Sequence, residues 1–208
     1  MTENDNSRLG SRMERKKEET RQKIIAAAVR LFNQQGLTVT TMEQIAQAAD
    51  IAKGTLYAYF PVKEAIIVAF MQNALQERSL QRIQQVHDLP DTSTRIHLIF
   101  TDLVAGVQRK KDVFETYMLH RVRSMLSFHP DEGIKSGFHL LGEEIICLGQ
   151  QSGEIRTDWP QILVEDLFEF TFIEVVKQFY LSPTKFQAQL AIDQAVDLFM
   201  QAVRPVDH

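Results

Sequence analysis

Lys53, Gly54, Thr55, Tyr57, Tyr59 and Lys63 crowd into one stretch, KGTLYAYFPVK, and two hydroxyls, Thr40 and Thr41, stand a little ahead of it. Ammonium, phenol and hydroxyl groups are the donors that phosphate oxygens accept. A glycine beside a threonine lets backbone and a small hydroxyl approach base edges. This chemistry is recognition rather than turnover. The sequence has no glycine-rich phosphate loop, no serine in a nucleophile-elbow context and no metal-ligand spacing among its six histidines and one cysteine. No catalytic residue, metal or cofactor is therefore expected, and the chain is not expected to be an enzyme.

These side chains need elements to present them, and the spacing supplies two. Met42, Ile45, Ala46 and Ala49 recur at helical intervals. Either Thr40 with Glu43 or Thr41 with Gln44 would form a capping box at the start. Asp50 tolerates the left-handed conformation of a sharp turn, and Ile51 can plug the space between helices. Leu56 and Phe60 anchor a second helix, which Pro61 ends near Tyr59 or Phe60. Two short helices at a steep angle offer the start of the second, Lys53, Gly54 and Thr55, to the floor of a DNA major groove, with Tyr57, Tyr59, Lys63 and Thr40 or Thr41 around it.

The run TTMEQIAQAADIAKGTLYAYFPVK, above all IAKGTLYAYFPVKEAI, resembles the helix-turn-helix of the tetracycline-repressor (TetR) family of bacterial transcription regulators, over roughly residues 19–70. The chain departs from that pattern at Asp50, where the family usually has glycine, and at Ala52, where it often has serine. The resemblance implies a homodimeric repressor on a palindromic operator, released when a small effector, apolar or amphipathic, fills a second domain. It also implies a dimer seam of two helices from each subunit. The alternative is a ligand-binding or scaffolding helical protein whose head no longer reads DNA, suggested by Ala52 and by the weak net charge of the head.

Charge and composition fit this division. Residues 1–63 hold 10 Lys+Arg against 7 Asp+Glu, a net +3, and the remainder hold 13 against 20, a net −7. The basic end is the DNA end. Gly and Pro together number only 15, which suits helices better than a turn-rich sheet. Residues 1–17, with Arg12, Arg15, Lys16 and Lys17, have almost nothing to bury and are expected to be a flexible arm. A bracing helix follows from about 18 to 35, ended by Gly36. After the two reading helices, a long connecting helix runs from about Lys63 to Val86. Further helical stretches follow at about 92–109, 112–127, 131–151, 160–181 and 184–203. The expected architecture is all-α with about nine helices: an arm (1–17), a three-helix DNA-binding domain (18–64) and a helical ligand-binding and dimerisation domain (65–208).

In the second domain, Phe100, Phe114, Tyr117, Met118, Phe128, Phe138, Trp159 and Phe172 are the pocket candidates. His97, His120, Arg121, Arg123 and His139 are possible polar partners. The last two helices carry more apolar residues than one side needs. Leu163, Leu167, Phe170, Val175, Phe179, Phe186, Ala195 and Phe199, with Met200, are candidates for a surface shared with a second copy. Cys147, in IICLG, is expected to be a small buried residue. Without an export signal or a membrane-length apolar run, the chain is expected in the cytoplasm, with operator DNA, a second copy of itself and the effector as partners and no membrane.

Overall fold

The computed structural model describes residues 3–125 and 137–206 and among them contains nine α-helices and no strand. By packing, the chain divides into two units: Met1–Met71 with Glu115–Arg123, and Gln72–Phe114 with Ser124–His208. The division inside the connecting helix thus falls later than residue 65, and part of the sixth helix groups with the head.

Helix α1 spans Glu3–Gln35. The segment expected to be an arm is therefore the first half of a helix, although residues 12–19 are exposed as a segment with nothing to bury should be. Propensity explains the difference. Glu, Lys, Arg and Gln dominate MERKKEETRQK, and they pair one turn apart: Arg15 lies 3.4 Å from Glu19, and Gln22 donates to Glu18 at 2.6 Å. Gly36, at φ +88°, stops the helix in the left-handed conformation that glycine adopts without cost.

Helices α2 (Met42–Ala48) and α3 (Lys53–Tyr59) follow, and α4 (Lys63–His87) connects onward. Asp50 makes the turn between α2 and α3 at φ +50°, the one non-glycine residue with positive φ among those described. Ile24 and Ala28 of α1, Ile45 and Ala46 of α2, Leu56 and Phe60 around α3, and Ile66 of α4 close one small apolar core. That core fixes the angle at which α3 leaves the head.

The second unit contains α5 (Thr92–Arg109), α7 (Gly137–Gln151), α8 (Gln161–Leu181) and α9 (Ala188–Val203). Helix α6 (Lys111–Met125) runs through both groupings. Asp91 caps α5, accepting from the Thr94 amide at 2.7 Å, and that bond holds its carboxyl below the usual range. The buried Arg95 donates to the carbonyls of Val86 and Leu89, tying off the end of α4. Helix α9 begins at Ala188 rather than near 184, because Pro183, Thr184 and Lys185 form a turn closed by Lys185 N to Ser182 O. At the centre, Phe100, Phe138, Phe168, Phe172 and Phe199 stack ring on ring, with centroids 5.0–5.9 Å apart. Gly142 lets α7 lie close on α8, since a Cβ there would sit 2.8 Å from the Phe168 ring.

Candidate nucleic-acid interface

The start of α2 is fixed by Thr41, not Thr40. Its hydroxyl accepts from the Gln44 amide at 3.2 Å, and Gln44 Oε1 accepts from the Thr41 amide at 2.9 Å, completing the capping box. Thr41 remains exposed, and its hydroxyl donates to the Glu43 carboxylate. Thr40 is buried, donates to the Gly36 carbonyl at 2.7 Å and receives Gln35 Nε2 at 3.2 Å. Thr40, expected among the DNA-contacting residues, is 1% exposed and braces the loop.

Lys63 also has work inside the head. Its ammonium donates to three carbonyls, Leu37 at 2.9 Å, Thr38 at 3.2 Å and Thr40 at 3.3 Å, and so gathers the loop before α2. Tyr59 is half-buried against the core of the head. Two residues apart on a helix, Tyr57 and Tyr59 point apart, and of the two Tyr57, 42% exposed, is the one presented to solvent.

Lys53, Gly54 and Thr55 are all exposed on the first turn of α3. Gly54 has an ordinary φ, and a Cβ there would meet nothing within 4 Å, so no contact among the described residues requires glycine. Lys53 forms an ion pair with Glu43 of α2 and lies 5.9 Å above the Tyr57 ring. The Glu43 hydrogen bond raises the Lys53 pKa, and the same bond lowers that of Glu43. Ala52, at the N-cap of α3, makes no side-chain cap. Sequence reasoning missed Glu43, whose link to Lys53 crosses from helix to helix, and Gln35, which reaches both Thr40 and Gln44 from the end of α1. Neither link has a local periodicity that would reveal it.

The expected pocket residues scatter. Phe100, Phe138 and Phe172 come together, but as packed rings of the core. Phe114 lies against Gly106. Trp159 stacks under the Arg156 guanidinium at 4.2 Å. Tyr117, Met118, His120, Arg121 and Arg123 group with the first unit, and Phe128 lies outside the described residues. His97 bonds Ser93 O and Asp193. His139 lies between Glu165 and Glu169 of α8. Among the described residues a depression of about 370 Å³ opens at the α8–α9 turn, lined by Leu181, Phe186, Leu190 and neighbouring polar residues.

The dimer candidates divide by burial. Val175, Phe179, Ala195 and Phe199 are buried within their own chain, because α8 and α9 turn those positions toward each other and toward α5; Met200 is half-buried. Leu163 and Phe170 are exposed and Leu167 and Phe186 half-exposed. On the same two helices Ile162, Leu181, Leu190 and Leu198 are exposed as well, Leu181 at 73% and Leu198 at 67%. Cys147, expected inside, is exposed: Ile145 and Ile146 take the inward positions and the next residue turns outward. No described helix is long and apolar enough to cross a membrane.

Comparison with known proteins places this geometry. Residues 24–70 match the family model for bacterial regulatory proteins of the tetR family. The chain is 36% identical over 92 residues to the HTH-type transcriptional regulator YuxN of Bacillus subtilis, a match spanning 43% of this chain and only 31% of that protein. It is 33% identical over 199 residues, 87% of each chain, to the "Probable acrEF/envCD operon repressor" of Escherichia coli K12. In fold it is similar to the crystal structure of Thermus thermophilus FadR, a TetR family repressor in complex with lauroyl-CoA, with a TM-score of 0.71 at 21% identity over 90% of this chain and 97% of that one. A head that matches the family model, on a chain that stays one-third identical to a repressor along most of its length, belongs to the tetR family of bacterial regulatory proteins.

Proposed function

We propose that this chain is a homodimeric transcriptional repressor that holds a palindromic operator through the start of α3 and releases it when a small apolar or amphipathic molecule binds the second unit. The carrying observation is that Thr41, Lys53, Gly54, Thr55 and Tyr57 are all exposed, at the start of α2 and along α3 of a closed head, including a glycine that no contact among the described residues requires. Lys53, Tyr57 and Thr41 supply phosphate donors, and Thr55 beside Gly54 supplies the approach to base edges. Lys63 and Tyr59 stand behind them as supports. The DNA-binding region is 18–64, with the helices beyond the connecting helix serving effector and dimer.

Ile162, Leu163, Phe170, Leu181, Leu190 and Leu198 make an apolar stripe on the outer faces of α8 and α9, which suits the seam between two copies. Two copies place two heads on successive major grooves, about 34 Å apart. The lauroyl-CoA bound to the Thermus FadR supports an amphipathic effector. Coupling of about 1–3 kcal/mol would lower operator affinity about 5- to 150-fold.

The test is fluorescence anisotropy with the DNA upstream of the chain's own gene, at several salt concentrations and with and without lauroyl-CoA as the first probe. Specific binding by the parent, a smaller salt slope in Lys53→Ala and relaxed base preference in Thr55→Ala are expected. Absence of any operator preference over random DNA would leave the helical binding protein with an idle head as the better reading.

A further inference from the structure

Helices α7 and α8 bring four metal-competent side chains together from two pairs, each pair one helical turn apart: His139 with Glu143, and Glu165 with Glu169. One ligand atom from each of His139, Glu143 and Glu165 lies within 4.8 Å of the others. His139 Nε2 is 3.3 Å from a Glu165 oxygen. Two ligands bound to one ion at about 2.1 Å, with the angles of a tetrahedral or octahedral site, stand about 3.0–3.4 Å apart, so this separation is that of neighbours in one coordination shell. On the other side of the ring, Nδ1 lies 3.2 Å from Glu169 Oε1 at hydrogen-bond geometry. A carboxylate held against Nδ1 turns Nε2 toward Glu165, the arrangement by which carboxylates orient metal-binding histidines.

Burial is the independent observation. Glu165 is 6% exposed, on the helix that carries Phe168 and Phe172 of the aromatic cluster, where an ionised carboxylate is costly unless a cation meets it. The described partners of Glu165 are Gln161 Nε2, at 2.8 Å, and His139, with no Lys or Arg among them.

We propose that His139 Nε2, Glu143 and Glu165 form a binding site for a divalent first-row transition ion, with Glu169 as the positioning residue that orients the imidazole. A mixed nitrogen and oxygen set suits zinc, manganese or iron(II) better than calcium or magnesium, which take oxygen alone. Three protein ligands leave positions for water or for a donor atom of a bound molecule. The close approach of α7 to α8 at Gly142, one turn from His139, holds the two ligand pairs in register.

The experiment uses the full chain without a histidine tag, stripped with EDTA and titrated with Zn²⁺ by calorimetry, with DNA absent so that the outcome is independent of the repressor reading. Saturation at one ion per chain is expected, together with a zinc-dependent rise in melting temperature. Glu165→Gln and His139→Gln should abolish the uptake, and Glu169→Gln should weaken it about 10- to 100-fold while leaving the stoichiometry unchanged. Zinc X-ray absorption on the loaded parent should show one imidazole and otherwise oxygen, a readout that stands even if a variant fails to fold. No saturable uptake by the parent, uptake unchanged in Glu165→Gln, or a spectrum with sulfur or several imidazoles would overturn the site; in the first case the ring is an imidazolium shared by two carboxylates.

Discussion

Replacing Lys63 by alanine separates two jobs that one ammonium can do. Read as a phosphate donor, Lys63 would leave the protein's stability alone and contribute to DNA binding. The structure instead gives it three carbonyls, at 2.9, 3.2 and 3.3 Å. Hydrogen bonds from a charged donor contribute about 1.5–3 kcal/mol when sheltered, but Lys63 is only half-buried and water can replace part of each bond. The contacts to Leu37 and Thr40 are the sheltered ones, and about 1 kcal/mol apiece gives a loss of about 2 kcal/mol. In a chain of this size 1 kcal/mol moves the melting temperature by about 2–4 °C, so Lys63→Ala should melt about 4–8 °C lower. Hydrogen exchange should speed up at the amides of Leu37 to Thr41. The slope of log affinity against log salt should stay that of the parent. A variant that melts within a degree of the parent while its slope falls by about 0.9, the value of one phosphate contact, would refute this reasoning and return Lys63 to the DNA.

Glu43→Gln frees Lys53 from its ion pair and removes a negative charge beside the reading helix; affinity for random DNA should rise about 2- to 5-fold at low salt, measured by anisotropy, and vanish as a difference at high salt. Ala52→Ser supplies the cap that α3 lacks, and its extended backbone suits a capping side chain, so chemical denaturation should show a gain of about 0.5–1 kcal/mol. Phe170→Glu with Leu198→Glu should give monomers by sedimentation with helical content unchanged, since both residues face outward; Phe199→Glu should instead unfold the second unit, since Phe199 is buried in the aromatic core.

The head was legible because its signals are local. The cap at Thr41, the turn at Asp50 and the stop at Pro61 each act within a few residues of themselves, and each left its mark in the sequence. What was hidden depends on partners far along the chain. Thr40 looks like Thr41 until Gln35 and Gly36 fold back onto it, and Lys63 looks like any surface lysine until the Leu37 loop arrives. The second unit was harder still. Helix α8 is apolar almost all round, so periodicity could not tell Val175 and Phe179, which face inward, from Phe170, which does not. Helix α1 erred the other way, for a polar segment with strong helix formers needs no core to be helical.

The polar belt around the loop before α2 has a thermodynamic corollary. Gln35, Thr40, Thr41, Gln44 and Lys63 satisfy one another and the loop carbonyls without any help from DNA. A surface already ordered in this way has little conformational entropy to lose at the moment of docking, and little apolar area left to bury by folding onto its site. Association of the head with DNA should therefore carry only a small heat-capacity change, dominated by released counterions and displaced water, and its rate should be set by diffusion and ionic strength rather than by a folding step.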